Sequence, residues 1–217
     1  MSVFTRVDTD QLQTFLKQFD CGDLVEHRGI AAGIENTNYF VTTTGGRYVL
    51  TLFENHGAEE LPFFLDLMAY LAEHAIPTAH PVATRDHTYL TELNQRPAAL
   101  VQRLSGASLD RPTPEACAEI GRTLARFHLV SADFPEYREP DRDLAWAEGV
   151  ARALHETAHA DELALLDDEL AFQRGETRKG LPRGAIHADL FRDNALFENG
   201  QLTGIIDLYY ALSLIHI

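Results

Sequence analysis

The segment HADLFRDN, at residues 187–194, constrains the fold more than any other part of this sequence. It sets His187, Asp189 and Asn194 at fixed spacing within a single loop. Two short apolar runs follow, and the Asn-Gly pair between them is a hairpin signal. A hairpin would return Asp207, which ends the second run, to the neighbourhood of Asn194. The sequence therefore predicts a loop and a hairpin that gather polar side chains from distant positions.

This spacing is typical of the catalytic loop of kinases. In that interpretation the Asp189 carboxylate receives the proton of an acceptor hydroxyl, while Asn194 and Asp207 hold the Mg²⁺ that bridges the phosphates of ATP. His187 fits a role in fixing the loop through hydrogen bonds. Arg192 either neutralises the transferred phosphoryl group or lies in solvent. The alternative is that His187 and Asp189 only satisfy each other in a turn, while Asp207 ends a strand.

Composition argues against several other classes of protein. The formal net charge of −15 argues against general binding of nucleic acids or anionic membranes, because both need clustered Lys and Arg. Cys21 and Cys117 lack the spacing of a zinc site or a disulfide framework. The sequence opens without an apolar signal core, and no apolar run approaches membrane-spanning length. With 45% hydrophobic residues in 217, we expect a reduced, cytoplasmic, soluble protein with a substantial core.

Hydrophobic periodicity predicts an α+β fold with a sheet-rich lobe at residues 1–104 and a mainly helical lobe at residues 105–217. Thr113 and Pro114 form a strong helix start, as N-cap and first helical residue. The predicted helices cover residues 8–19, 59–74, 114–132, 143–155 and 161–172, and the predicted strands cover residues 29–32, 39–43, 47–53, 81–84, 88–93, 97–104, 195–197 and 202–206.

Four further segments carry a resemblance to known proteins: GIENTNYF at residues 33–40, LPFF at residues 61–64, IGRTLARFH at residues 120–128 and IIDLYY at residues 205–210. With them, the sequence resembles the aminoglycoside/choline phosphotransferase-like kinases, and among them most closely the homoserine kinases. The resemblance extends from residue 1 to about residue 211 and implies a two-lobed protein-kinase-like fold. It also implies transfer of the γ-phosphoryl group of ATP to the side-chain hydroxyl of L-homoserine. The catalytic-loop octet is shared by the whole superfamily and cannot name the acceptor.

The nucleotide contacts that the resemblance implies leave alternatives open. Gly33, Asn36 and Asn38 lie where kinases place the loop that covers the phosphates, but this segment has one glycine and also fits an ordinary polar hairpin turn. Leu100 and Gln102 lie in the connection where adenine would pair with backbone groups. A plain β-strand explains those two residues equally well.

Thr51 departs from the kinase pattern, because most kinases have a phosphate-binding lysine at this position of the strand. Either another cation replaces the lysine, with Arg47 and Arg103 as candidates, or Mg²⁺ and backbone groups suffice. Glu60, on the helix that normally provides the partner of this lysine, then has no mate. A solvated carboxylate is the simpler interpretation of Glu60.

Three functions stay open: a homoserine kinase, a kinase for another small hydroxyl compound such as an amino alcohol or aminoglycoside, and a nucleotide-binding protein without turnover. The sequence does not predict the oligomeric state. Members of the resembling family continue after residue 211, where this sequence reads LSLIHI. We therefore expect a truncated or frame-shifted chain with an incomplete second lobe. Apolar faces would be exposed on the helices at residues 114–132 and 143–155, and phosphorylation of homoserine would be weak or absent.

Overall fold

The computed structural model describes residues 4–31, 35–176 and 180–215. Within these ranges no helix has both the length and the apolar character needed to cross a bilayer. The helices are α1 (Thr9–Leu16), α2 (Leu61–Glu73), α3 (Pro114–Ser131), α4 (Leu144–Leu154) and α5 (Ala160–Gly175), and the strands are β1 (Leu24–Gly29), β2 (Thr37–Thr43), β3 (Gly46–Leu52), β4 (Thr91–Leu93), β5 (Arg96–Gln102), β6 (Arg183–Ile186), β7 (Ala195–Glu198), β8 (Gln201–Ile205) and β9 (Leu212–Ile215).

The first half folds into an antiparallel sheet with the strand order β1-β2-β3-β5-β4. Side chains alternate between its two faces, as the period of two in a strand requires. Along β3, Leu50 and Leu52 join the core beneath α1, whereas Val49 and the adjoining Phe53 pack in the core around α2. The sheet is therefore a middle layer, with α1 on one face and α2 on the other.

The core around α2 joins the two halves of the chain. Phe64 on α2 is fully buried in the same cluster as Phe127 of α3 and Ile205 of β8. This core contains side chains from both sides of residue 104. The division into lobes at residues 1–104 and 105–217 therefore stays a prediction. The α+β architecture itself is confirmed, with the sheet before α3 and most of the helical residues after it.

Two predicted strands are wrong. The first strand, β1, runs earlier than residues 29–32, over the more polar residues Leu24–Gly29. Residues 30 and 31 lie outside β1, and residue 32 lies outside the described residues. The segment at residues 81–84 makes only isolated bridges, from Pro81 to Val101 and from Thr84 to Phe19. The first error has a physical cause: periodicity is weak where a strand, like β1, lies at a sheet edge and buries few side chains.

The second half starts as predicted. Thr113 Oγ1 accepts a hydrogen bond from the Ala116 N–H at 3.2 Å and caps α3. Helices α4 and α5 pack against each other as a hairpin. Several large apolar side chains on α3, α4 and α5 are exposed to solvent, and exposed apolar faces were expected for α3 and α4: Leu129, Trp146, Val150, Leu154, Leu165 and Phe172.

Candidate active site

The candidate site lies where a tight β-hairpin follows the catalytic loop and returns the chain to the end of that loop. Strands β7 and β8 pair antiparallel around Asn199 and Gly200, whose φ angles of 52° and 79° allow the turn that Asn-Gly favours. Beyond the last pair, the Ile206 N–H donates to the Asn194 carbonyl at 3.0 Å. The next residue is Asp207, so the predicted approach of Asp207 to Asn194 is confirmed.

The Asn194 side chain joins the two ends of the loop. Its Nδ2 donates to the Asp189 carbonyl at 2.8 Å and lies 3.4 Å from the Asp189 Oδ2. Because both contacts use the amide nitrogen, the Oδ1 of Asn194 remains as the acceptor that can face a metal ion. A short 3₁₀ turn, Arg192–Asn194, positions this side chain directly before β7.

His187 contacts the backbone on both sides of the site. Its side chain is 2% exposed, and its Nδ1 accepts from the Asp189 N–H at 3.3 Å. Nε2 therefore carries the proton and donates to the Ile206 carbonyl at 2.9 Å. Burial lowers the pKa of His187, which keeps the ring neutral. These contacts agree with the role predicted for His187 in fixing the loop, and they link the loop to the hairpin.

The Asp207 carboxyl has a strongly raised pKa. Partial removal of solvent from the carboxylate, together with the negative charges of Asp189 and Glu35, raises its pKa to about 6. The neighbouring His56 lowers this pKa. Solvent still reaches this carboxylate on one side, so the group can titrate. Its φ of 65° is unusual for a non-glycine residue. Ala188, in the catalytic loop, has a similar φ of 63°.

A hydrogen bond closes one side of the site. The Tyr210 hydroxyl donates to the Glu35 carboxylate, 175 positions earlier in the chain. This bond raises the pKa of Tyr210 to about 12. It joins the segment before β2 to the segment after Asp207, and it leaves the Glu35 carboxylate near Asp189 and Asp207. Sequence analysis gave neither Glu35 nor Tyr210 a role.

The position that holds lysine in most kinases is filled by a network of neutral groups. Thr51 is 2% exposed, and its hydroxyl donates to the Asn38 Oδ1 at 2.8 Å. The Tyr209 phenol lies within hydrogen-bonding reach of the same hydroxyl. Asn36, 8% exposed, has a shielded Oδ1 with no hydrogen-bond partner in the described part of the chain. Gly33 lies outside the described residues.

The two predicted adenine contacts differ in their surroundings. The Leu100 side chain is fully buried on the α1 side of the sheet, and its carbonyl accepts from the Val82 N–H at 2.8 Å. This geometry argues against Leu100 as a nucleotide contact. Gln102 is exposed at the end of β5, and its N–H donates to the His80 carbonyl at 2.9 Å. Gln102 stays a prediction.

Arg192 and Glu60 both contact groups outside the catalytic loop motif of Asp189 and Asn194. Arg192 is 59% exposed, as in the solvent alternative, and it donates to the Asp110 carbonyl at 3.0 Å and lies 3.5 Å from the Asp193 carboxylate. Glu60 is paired rather than solvated, because Arg138 contacts it at 3.2 Å. Arg138 also lies over the Phe64 ring, 5.0 Å from its centroid. No sequence signal marks this pair, because its members lie 78 positions apart.

Comparison with known proteins identifies the family. The sequence profile described as "Phosphotransferase enzyme family" matches residues 26–213, which include the sheet, the catalytic loop and the β7–β8 hairpin. The chain belongs to the phosphotransferase enzyme family. The resemblance predicted from the four sequence segments is thereby confirmed.

Among members of this phosphotransferase family, the chain is similar to bacterial homoserine kinases. It is 51% identical over 211 residues to the homoserine kinase of Methylobacillus flagellatus, covering 97% of this chain and 66% of that protein. It is 43% identical over 223 residues to that of Burkholderia pseudomallei, covering 97% of this chain and 67% of that protein. The chain thus spans about two thirds of the length of these relatives.

Solved structures confirm the protein-kinase-like fold. Amicoumacin kinase hAmiN, solved with AMP-PNP, Ca²⁺ and Ami, superposes with a TM-score of 0.74 at 16% identity, covering 96% of this chain and 66% of that one. A microcompartment-associated aminopropanol kinase superposes with a TM-score of 0.67 at 22% identity, covering 95% and 70%. At these identities the likeness shows the fold alone.

Proposed function

We propose that this phosphotransferase-family chain carries the nucleotide site of an ATP-dependent homoserine kinase. Such an enzyme converts L-homoserine to O-phospho-L-homoserine in threonine biosynthesis. The observation that carries the proposal is the grouping of Asp189, Asn194 and Asp207 at one end of the β7–β8 hairpin. The choice of acceptor rests on the 51% identity to a homoserine kinase. It is a proposal because the chain spans 66% of that relative.

The residues present fit a divalent metal ion. Asn194 Oδ1 and the Asp207 carboxylate are oxygen ligands on adjacent backbone segments, which suits Mg²⁺ completed by phosphate oxygens and water. Among the described residues no group of three or more His, Cys, Asp or Glu could hold a metal, so a resident all-protein metal site is not the basis of the proposal. When bound, Mg²⁺ would supply positive charge against the nucleotide phosphates.

The side chains around the metal site would perform the remaining steps. Asp189 orients the acceptor hydroxyl and accepts its proton late in the reaction, because phosphoryl transfer passes through a loose transition state. Asn194 holds the Asp189 carbonyl and so fixes that carboxylate relative to Asp207. His187 holds the loop against Ile206. Positioning and charge stabilisation by these groups would supply most of the catalysis.

The charge of the site supports an acceptor that carries an ammonium group. Glu35, Asp189 and Asp207 place three carboxylates close together. L-homoserine has an α-ammonium group, and the same observation keeps an amino alcohol or an aminoglycoside as a second candidate. Thr51 in place of lysine keeps a third function open, nucleotide binding without turnover. We also propose a cytoplasmic location, because Cys21 and Cys117 are free thiols that suit a reducing compartment.

The test combines binding with product analysis. The 217-residue chain is titrated with AMP-PNP, with and without Mg²⁺, by isothermal titration calorimetry. It is then incubated with ATP, Mg²⁺ and, separately, L-homoserine, choline, methylthioribose and kanamycin, with products detected by ³¹P NMR. We expect Mg²⁺-dependent AMP-PNP binding. Because the second lobe is expected to be incomplete, we expect at most weak product formation, and only with L-homoserine.

Each outcome decides between the candidates. Preferential phosphorylation of choline or kanamycin would replace the homoserine kinase by the second candidate. Mg²⁺-dependent binding without any product favours nucleotide binding without turnover. Binding that does not depend on Mg²⁺, or no binding at all, would contradict the proposed site. A chain carrying both Asn194→Ala and Asp207→Ala is the matched control, because it removes the metal ligands and leaves Asp189 in place.

A further inference from the structure

The proposed kinase needs a donor for the nucleotide phosphates, because Thr51 stands where most kinases have lysine. The candidates named from the sequence are badly placed. Arg47 lies four positions before Thr51 on β3, about 13 Å along the strand. Arg103 is hydrogen-bonded to Arg47 across the sheet, and its guanidinium stacks 3.9 Å from the centroid of the Phe40 ring. Neither arginine side chain is therefore attached to the backbone close to Thr51.

The structure offers a different side chain, His56, in the connection between β3 and α2. Its ring is held edge-on between aromatic rings, with centroids 6.1 Å from Phe53 and 5.9 Å from Phe64. Tyr209, two residues after Asp207, lies 6.5 Å away. His56 is close enough to Asp207 to act on its carboxylate. The ring is therefore fixed beside the metal ligand, although its own segment is a loop.

The surroundings of this ring define where its proton lies. The Nδ1 of His56 is shielded from solvent and has no hydrogen-bond partner among the described residues. A proton on Nδ1 would bury a donor without an acceptor, which costs more than leaving a lone pair unpaired. The neutral ring therefore carries its proton on Nε2. An imidazole fixed in this way presents one directed N–H donor.

We propose that His56 is a phosphate-binding residue, whose Nε2–H donates to a phosphate oxygen of the bound nucleotide in place of the missing lysine. This inference rests on the proposed nucleotide site and adds a residue to it. A neutral donor suffices, because hydrogen bonds to a charged acceptor are strong in a partly enclosed site. The chain would then divide the role of the lysine between the His56 donor and the bound Mg²⁺.

The test separates the two ring nitrogens. An Asn side chain places its amide near the position of Nδ1, whereas a Gln side chain places its amide near that of Nε2. The wild-type chain, His56→Asn and His56→Gln are titrated with adenosine, ADP and AMP-PNP in Mg²⁺ by calorimetry. We expect His56→Asn to weaken ADP and AMP-PNP binding about tenfold or more, the usual effect of losing a hydrogen bond to a charged group. Adenosine affinity should not change, and His56→Gln should stay within about threefold of the wild type.

The chain provides a matched control in His27→Gln. His27 also has a shielded Nδ1 without a partner, and its ring lies 5.9 Å from Tyr39, but it belongs to β1. This variant should bind all three ligands like the wild type. If His56→Asn binds ADP and AMP-PNP normally, or loses adenosine equally, the inference is wrong while the proposed function stands. If the wild type binds none of the ligands, both fail.

A second measurement covers the case in which His56→Asn does not fold. In the ¹⁵N-labelled wild-type chain, ADP with Mg²⁺ should shift the Nε2 resonance of His56, while the His27 ring nitrogens stay in place. Adenosine should leave the Nε2 resonance unchanged. An Nε2 resonance that does not respond to ADP at saturation would overturn the inference without any variant.

Discussion

The raised pKa of Asp207 makes metal-dependent nucleotide binding sensitive to pH. With a pKa of about 6, the carboxylate is roughly 91% ionised at pH 7 and roughly 9% ionised at pH 5. An unperturbed aspartate would still be about 94% ionised at pH 5. Because only the ionised form can bind Mg²⁺, we expect Mg²⁺-dependent AMP-PNP binding to weaken about tenfold between pH 7 and pH 5.

The titration can be observed directly in the metal-free chain. The ¹³C resonance of the Asp207 carboxyl should move with a midpoint of about 6. Removing a neighbouring negative charge through Asp189→Asn or Glu35→Gln should lower this midpoint. The Asp207→Asn variant reports the pH dependence of the nucleotide itself, which is subtracted from the calorimetric result. A wild-type midpoint near 4 would show that the surroundings of Asp207 do not raise its pKa, and the predicted pH dependence would be wrong.

The same shift carries a prediction for stability. The folded pKa of Asp207 lies above the ordinary value of 3.8, so the folded chain binds a proton that the unfolded chain releases. The contribution of Asp207 to the free energy of unfolding is therefore most favourable below about pH 4. It falls as the pH rises through about 6. Asp207→Asn should remove this slope in thermal unfolding experiments without metal.

Three further changes test other contacts. Asp189→Asn should reduce any phosphotransfer by about 10²–10⁴ while AMP-PNP affinity stays within about threefold; near wild-type turnover would contradict its role. Arg138→Met, which removes the partner of Glu60, should lower the free energy of unfolding by about 1–2 kcal/mol and Tm by about 2–8 °C, and an unchanged Tm would show that the pair contributes nothing. Burial lowers the pKa of His187, so the folded chain should lose stability as the pH falls below about 6.5. His187→Gln keeps a donor for Ile206 but cannot titrate, so this loss of stability should become smaller. An unchanged dependence of Tm on pH would contradict this assignment.

Local chemistry explains which parts of the fold the sequence predicted. The turn at Asn199 and Gly200 and the cap at Thr113 each depend on residues within a few positions, and both were predicted. The amphipathic helices were also predicted, because one apolar face repeats within a short window. The approach of Asp207 to Asn194 followed from the hairpin alone. These predictions needed no knowledge of the rest of the chain.

Contacts between distant segments left no such trace. The pairing of β6 with β9 and the bond from Tyr210 to Glu35 depend on the folded position of both partners. No sequence pattern around Arg138 predicts its ion pair with Glu60. Leu100 shows a subtler failure: the strand was predicted, but the Leu100 carbonyl already accepts from the Val82 N–H, a contact between two segments that the sequence does not show. The roles of single polar side chains therefore required the structure.

The site brings like charges together and holds them there by neutral contacts. Asp189, Asp207 and Glu35 repel one another, yet Asn194, His187 and Tyr210 each fix one of these acids or its backbone through a hydrogen bond. The positive φ of Asp207 adds a small conformational cost at the same place. Such an arrangement is unfavourable for an empty cleft and favourable for a ligand that brings positive charge. The geometry therefore supports a site built for a metal-bound nucleotide and an ammonium-bearing acceptor, because both would relieve the repulsion that the fold maintains.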